Sequence, residues 1–266
     1  MLSDTHFPQM PFITIMIKAK KIIYIVLSIV AWLLIWELGA SIVNNVAFFA
    51  GVGDTFKALG SLVITLDFWK TILFSMLRIA FGFFAGVIVG ILLAFICHKS
   101  EFLHKFFSIG ISVIKSTPVA SIIIILWVFI GGARVASAIA LFMVAPIIWQ
   151  NIMNGFMSID PNLDEVAHVF EVTGFKRFKL LVFPALIRYF VPAALTSVGL
   201  AWKSGIAAEI ITVAKNSIGY EIKNYKDMFD SDYMLAWTLV VITISIIFEY
   251  GIRFLARRFK SYEHQN

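Results

Sequence analysis

Charge is scarce in this chain. Only 14% of its 266 residues are charged, whereas 60% are hydrophobic, and the mean hydropathy is +0.91. A soluble domain carries about 25% charged and about 45–50% apolar residues. One water-exposed fold cannot hide this much apolar surface, so a bilayer must solvate part of it. Cysteine is nearly absent: Cys97 stands alone, which excludes an intrachain disulfide and a cysteine-based metal cluster. The histidines (His6, His98, His104, His168, His264) are scattered, with no metal-ligand spacing. The sequence contains no GxxxxGK[ST], GxSxG or HExxH. It therefore offers no nucleotide-binding loop of its own and no recognisable hydrolytic centre, and neither metal nor cofactor is expected on the chain. The net charge of +6 is spread out, without the basic domain that nucleic acid would require.

What is present is long apolar runs. Six stretches, 22–43, 72–97, 107–130, 135–153, 185–211 and 234–252, match the length of about 20 residues that a membrane helix needs. Each is too long for a barrel strand, so the fold class is an all-α membrane protein with six transmembrane helices. Residues 1–21 are read as a cytoplasmic N-terminal segment, with room for a short interfacial helix. Lys18, Lys20 and Lys21 precede the first run, and no small-residue cleavage site follows a short apolar core, so a cleavable signal peptide is not expected.

Lysine and arginine set the orientation. With the N-terminus inside, the inner segments hold twelve basic residues: Lys18, Lys20, Lys21, Lys99, Lys105, Lys176, Arg177, Lys179, Arg253, Arg257, Arg258 and Lys260. The outer segments hold six: Lys57, Lys70, Arg134, Lys215, Lys223 and Lys226. Both termini are thus assigned to the cytoplasm, with a membrane domain over 22–256 and a tail over 257–266. Residues 98–106 read as a short inner turn, and Gly131-Gly132-Ala133 as a tight outer hairpin. Residues 44–70 read as an outer loop or short helix, and 212–233 as an outer polar loop.

The inner segment 154–184 is the most informative. Asp160-Pro161 fits a helix start, and Asp164 and Glu165 lie where the helix dipole favours acids. Val166, Val169, Phe170 and Thr173 recur at helical spacing. Gly174 is expected to end that helix. Phe175, Phe178 and Leu181 form a second apolar stripe opposite Lys176 and Lys179, and Pro184 opens the next span. By pattern alone this is either an amphipathic hairpin lying on the membrane surface or a docking element for a soluble partner.

Glu165-Val166-Ala167, followed by an apolar and basic stretch ending at Phe183-Pro184, resembles the EAA loop of binding-protein-dependent ABC importer permeases. The resemblance extends over about 70–255. It takes in Ser75 to Gly82, Lys115-Ser116-Thr117-Pro118, Leu126 to Gly131, Ala145-Pro146-Ile147, Asp160-Pro161, Ala201-Trp202, Ala207-Ala208-Glu209 and Ser217 to Tyr220. In order and spacing these are similar to the sulfonate, taurine, nitrate and bicarbonate branch of the type I permeases. The resemblance implies a type I ABC importer (MetI-like) permease fold in a prokaryotic plasma (inner) membrane.

It also implies partners: a second permease copy in a homodimer, a cytoplasmic ABC ATPase dimer carrying ATP and Mg, and an extracellular or periplasmic solute-binding protein. The coupling loop would be 156–184, with Asp164, Glu165, Ala167, Phe170, Glu171, Gly174 and Pro184 as coupling residues. One departure is plain: the family has glycine six residues after the glutamate, and here that position is Glu171.

Ionisable groups at membrane depth cost about 2.5–3.5 kcal/mol on insertion scales and so face protein or water. Lys203 lies mid-span. It either pairs with a carboxylate such as Glu37 or Glu249, or lines the path as a fixed cation for an anionic solute. Lys115, Ser116, Thr117 and Pro118 mark a simple proline kink or a broken helix lining a cavity. With Trp202, Ser204 and Glu209 these are the candidate path residues, while Arg78 is read as structural. An ATP-independent channel or secondary transporter also fits six spans with buried charge; the loop at 165–184 argues against it. The branch points to a small anion, and a neutral or zwitterionic solute such as a pyrimidine precursor of thiamine stays open.

Overall fold

The computed structural model describes residues 11–263, with side chains over 20–251 apart from Lys21 and Asp164, and with Phe254. Its helices are α1 (Pro11–Val43), α2 (Val52–Val63), α3 (Leu66–His98), α4 (Glu101–Ser116), α5 (Val119–Ile130), α6 (Gly132–Met157), α7 (Pro161–Val169), α8 (Gly174–Arg177), a π-helical turn (Phe178–Val182), α9 (Phe183–Thr212), α10 (Ile218–Asp227) and α11 (Ser231–Glu263). Many boundaries follow from single side chains. Thr65, Ser100, Asp160 and Ser217 sit at N-caps and accept backbone N–H groups from Phe68, Leu103, Asn162 and Tyr220, satisfying donors that the first helical turn leaves open.

Three helices form the core: α3, α6 and α9. The α3–α6 contact is close because small residues recur every four positions along α3. A Cβ placed on Gly82 would lie 2.1 Å from the Ser137 carbonyl oxygen, so only glycine lets the two backbones meet there. Contacts of Gly82 with Ser137 and of Gly90 with Ile148 run in the same order along both chains, making α3 and α6 parallel. Gly155 meets Leu186 and Gly132 meets Thr212, so α9 returns antiparallel. Trp149, Trp202 and Trp237 are fully buried around this core.

Parallel neighbours need a crossing between them. The sequence treats 107–130 as one span, but the chain bends by 103° between α4 and α5. Pro118 has no N–H to continue the ladder, and its ring pushes Thr117 out of the helical region, to ψ 131. Together α4 and α5 carry the chain from the His98 end of α3 to the Gly132 end of α6, so the bent pair is one broken crossing. Among the described residues the bundle then has six crossings, five of them by unbroken helices long and apolar enough to span a bilayer.

Other expectations need correction. Residues 98–106 are no open turn, because Ser100 starts α4 after a break of two residues. The polar stretch 212–233 contains α10. The fifth span does not open at Pro184: α8, the π-helical turn and α9 form one helix over Gly174–Thr212. Pro184 lacks the N–H that an α-helix would need there, and the wider π turn just before it absorbs the mismatch. Residues 11–21 continue α1 without a boundary, and α11 passes 256 unbroken to Glu263. The expected segment 1–10 and the last residues, 264–266, lie outside the described residues.

The bundle thus has two ends. One carries α7, α8, the beginning of α1 and the end of α11. The other carries α2, α10 and the end of α1. There, the Glu37 carboxylate accepts the Val52 N–H at 2.8 Å, capping α2 where Gly51 offers no side chain. Trp36 Nε1–H donates to the Ala50 carbonyl at 3.0 Å. These two bonds tie the far end of α1 to the bundle.

Candidate functional site

The α7 end presents an apolar surface on a polar scaffold. Asp160 accepts the Asn162 N–H at 2.8 Å, and Pro161 follows at the first helical position. Ala167 is the one buried side chain of α7 among the described residues, at 6% exposure, whereas Phe170 is 75% exposed. Leu163, Val166 and Val169 are exposed beside it, and Phe175 joins them from α8. Glu165 is exposed as well, and the side chain of Asp164 falls outside the described ones. Phe178 stacks on Phe175 and also meets Phe95 and Phe183.

The helix does not run on to Gly174. It closes at Phe170, with the Glu171 N–H donating to the His168 carbonyl and the Val172 N–H to the Ala167 carbonyl. This pair of bonds is the Schellman ending, which needs a left-handed residue between them. Glu171 takes that conformation, at φ 54, and Gly174 takes it again at φ 57. The position six residues after Glu165 is therefore left-handed, filled here by a glutamate that strains to hold it. Replacing Glu171 by glycine is expected to stabilise the fold by up to about 1 kcal/mol. Gly174→Val, in open space, should cost about 1–2 kcal/mol through its backbone alone. Opposite shifts of the melting temperature in detergent would show this.

The candidate path residues divide into two sets. Lys115, Ser116 and Pro118 are exposed at the break between α4 and α5, and Thr117 is half-buried. The Ser116 and Thr117 hydroxyls donate to the Val113 carbonyl, at 3.2 and 2.7 Å, serving acceptors near the break. Lys203 is exposed on α9, on a face it shares with Pro192, Thr196 and Leu200. It forms no ion pair among the described residues, and Glu37 is engaged with Val52 instead. Trp202, Ser204 and Glu209 are buried. Trp202 Nε1–H donates to the Val241 carbonyl at 3.2 Å, and the Ser204 hydroxyl to the Leu200 carbonyl at 2.7 Å.

Glu209 binds three parts of the chain together. Its Oε2 accepts from the Ser75 hydroxyl at 2.8 Å and from the Gly219 N–H at 3.3 Å. Its Oε1 lies 3.7 Å from Arg78 Nη1. The structural role expected for Arg78 is visible: its guanidinium also donates to the carbonyls of Lys215 and Asn216, at 3.1 and 3.3 Å. Ser75 is the residue that sequence reasoning missed as a partner. On the neighbouring α10, burial pushes the Glu221 carboxyl above the ordinary range, and Lys223 and Lys226 hold Asp227 below it.

The chain belongs to the family described as "Binding-protein-dependent transport system inner membrane component", whose model matches residues 86–261. It is the membrane permease subunit of an ABC importer, and ATP hydrolysis belongs to a separate chain. It is 22% identical to the permease protein SsuC of Bacillus subtilis (strain 168), described as an aliphatic sulfonates transport permease, over 77% of this chain and 73% of the relative. It is 24% identical to a nitrate import permease of Synechocystis, over 77% and 70%. The fold matches a chain in the crystal structure of an amino acid ABC transporter with histidines, with TM-score 0.61 and 15% identity, covering 75% of this chain and 97% of that one.

Proposed function

We propose that two copies of this chain form the membrane path of an importer for a small anion. Each copy is gripped from the cytoplasm by one subunit of an ABC ATPase dimer, which carries ATP and Mg. A solute-binding protein delivers cargo at the α10 end. The observation that carries this reading is the exposed apolar face of α7, flanked by Phe175, at the end that carries the beginning of α1 and the end of α11. Asp164, Glu165, Ala167, Phe170, Glu171, Gly174 and Pro184 form the coupling element. The excess of lysine and arginine in the segments assigned to that side supports a cytoplasmic position for α7 and for both termini.

In this reading Lys203 is the fixed cation of the path. It is exposed from the protomer and unpaired among the described residues, on a helix face with Thr196 and the open Gly199. A charge held at membrane depth without a partner in its own chain requires water or a counter-ion. Lys115, Ser116, Thr117 and Pro118 border the path at the broken crossing, while Trp202, Ser204 and Glu209 hold its wall from behind. The relatives' nitrate and sulfonate solutes favour an anion for this chain.

The test is uptake by cells carrying the complete transporter, with nitrate, an alkyl sulfonate, bicarbonate and a neutral pyrimidine as solutes. Lys203→Met should reduce anion uptake at least ~10-fold, as expected for removal of a cation worth about 1.4 kcal/mol or more to a passing anion, with the protein still recovered in the membrane. Unchanged anion uptake in that variant, or transport of the pyrimidine alone, would contradict the anion path.

A further inference from the structure

A polar cluster at the α10 end does more than satisfy its own groups. Glu209 closes α9 and is fully buried. Apart from the 3.7 Å approach of Arg78, its Oε1 has no hydrogen-bond partner. Ser75 on α3 works in both directions: its hydroxyl donates to Glu209 and accepts the Ile218 N–H at 2.9 Å. The first two amides of α10, those of Ile218 and Gly219, therefore end on α3 and α9. A carboxylate at that position is favoured by the helix dipole. The fit is tight, since a Cβ on Gly219 would lie 2.4 Å from that of Glu209.

The segment so held is not relaxed. Val213 and Asn216 both adopt left-handed backbone, at φ 52 and φ 54. A β-branched residue there is a true outlier and persists only where its surroundings hold it. Arg78 supplies that hold by binding the carbonyls of Lys215 and Asn216. Three side chains on α3 and α9 thus oppose the strain in one short connection, and that connection leads to a mostly polar helix. From α10 the path leads back through α9, which is continuous with the π-helical turn and α8 at the opposite end.

We propose that Glu209, Ser75 and Arg78 form a latch that holds the hairpin 213–230 rigidly on the adjoining ends of α3 and α9. Hairpin and α9 then move as one body. A push on α10 then reaches the π-helical turn through α9, the helix that carries Lys203. Glu209 is a positioning residue in this device, acting through the backbone of α10. The meaning for transport, a direct line from the binding-protein side to the ATPase side, rests on the importer reading above; the latch itself does not.

Hydrogen–deuterium exchange on the full chain in lipid nanodiscs tests it without any partner. Ser75→Ala and Glu209→Gln are compared with the native chain. Amides 214–224 should exchange about 10-fold faster or more in both variants, while amides 139–153 of α6 keep their protection, showing local release and not unfolding. Amides 175–183 around the π-helical turn should also change, by about 3-fold or more, because α9 carries the loosened end. Unchanged exchange at 214–224 would overturn the latch. Release there with 175–183 unmoved would overturn the rigid-body claim. Where Glu209→Gln also exposes α6, Ser75→Ala decides, since it deletes only one hydroxyl. Because the chain is tested alone, neither failure touches the importer reading, and loss of that reading leaves this result standing.

Discussion

Gly82→Val is expected to be the most damaging single change in the bundle. Its Cβ would enter the space 2.1 Å from the Ser137 carbonyl and 2.8 Å from the Ala140 methyl. Backbone cannot swing aside as a side chain can, so α3 and α6 must separate. That separation would also disturb Gly86 and Gly90, which make the same contact further along. Overpacking of a dense interior costs about 1–3 kcal/mol when side chains can adjust, and this site should lie at or above the upper end. Thermal unfolding in mild detergent, followed by loss of the monodisperse peak in size-exclusion chromatography, measures it. Gly110→Ala is the control, because nothing lies within 4 Å of its Cβ position.

Phe170→Asp should have the opposite profile, with the fold intact and transport abolished. Phe170 is 75% exposed at the end of α7 and loses little internal packing when replaced. An aromatic anchor at a docking surface is commonly worth 2 kcal/mol or more, about a 30-fold loss of partner affinity, and a carboxylate would add a desolvation cost. Uptake should fall to background while melting temperature and expression stay near those of the native chain. Combined loss of stability and uptake would mean that Phe170 packs within its own chain.

The membrane helices were legible because hydropathy averages over about 20 residues, and few other structures satisfy such a run. The same averaging concealed the broken crossing. Pro118 was plain to see, but an apolar count over 107–130 does not register a 103° bend. The helix α10 escaped because its sequence is polar, and the Ser217 cap that starts it resembles any loop serine. The end of α7 was placed at Gly174 on the rule that glycine ends helices. The chain ends it earlier, at Phe170, where the two Schellman bonds outweigh the strain of the left-handed Glu171 that follows. Spacing marks Lys203 as a cation within an apolar run, and only the structure separates its exposed side chain from the buried Trp202 and Ser204 beside it.

Glu209 shows the limit most clearly. A lone carboxylate near the end of a span suggests a path or a pair, and nothing local distinguishes them. Its partners Ser75, Arg78 and Gly219 come from two other helices, and their convergence depends on α3 running antiparallel to α9. That arrangement follows from close packing at Gly205 against Ile79, a tertiary contact with no signature in either helix alone.

A separate ATPase gripping α7 should copurify with this chain. ATP hydrolysis is therefore measured on the complex recovered when the chain is affinity-purified from its native membrane in mild detergent. Mg-dependent hydrolysis is expected with the native chain, and its loss with Phe170→Asp at equal recovery of the permease. Equal hydrolysis with both chains, or a native chain recovered without any hydrolytic partner, would contradict it.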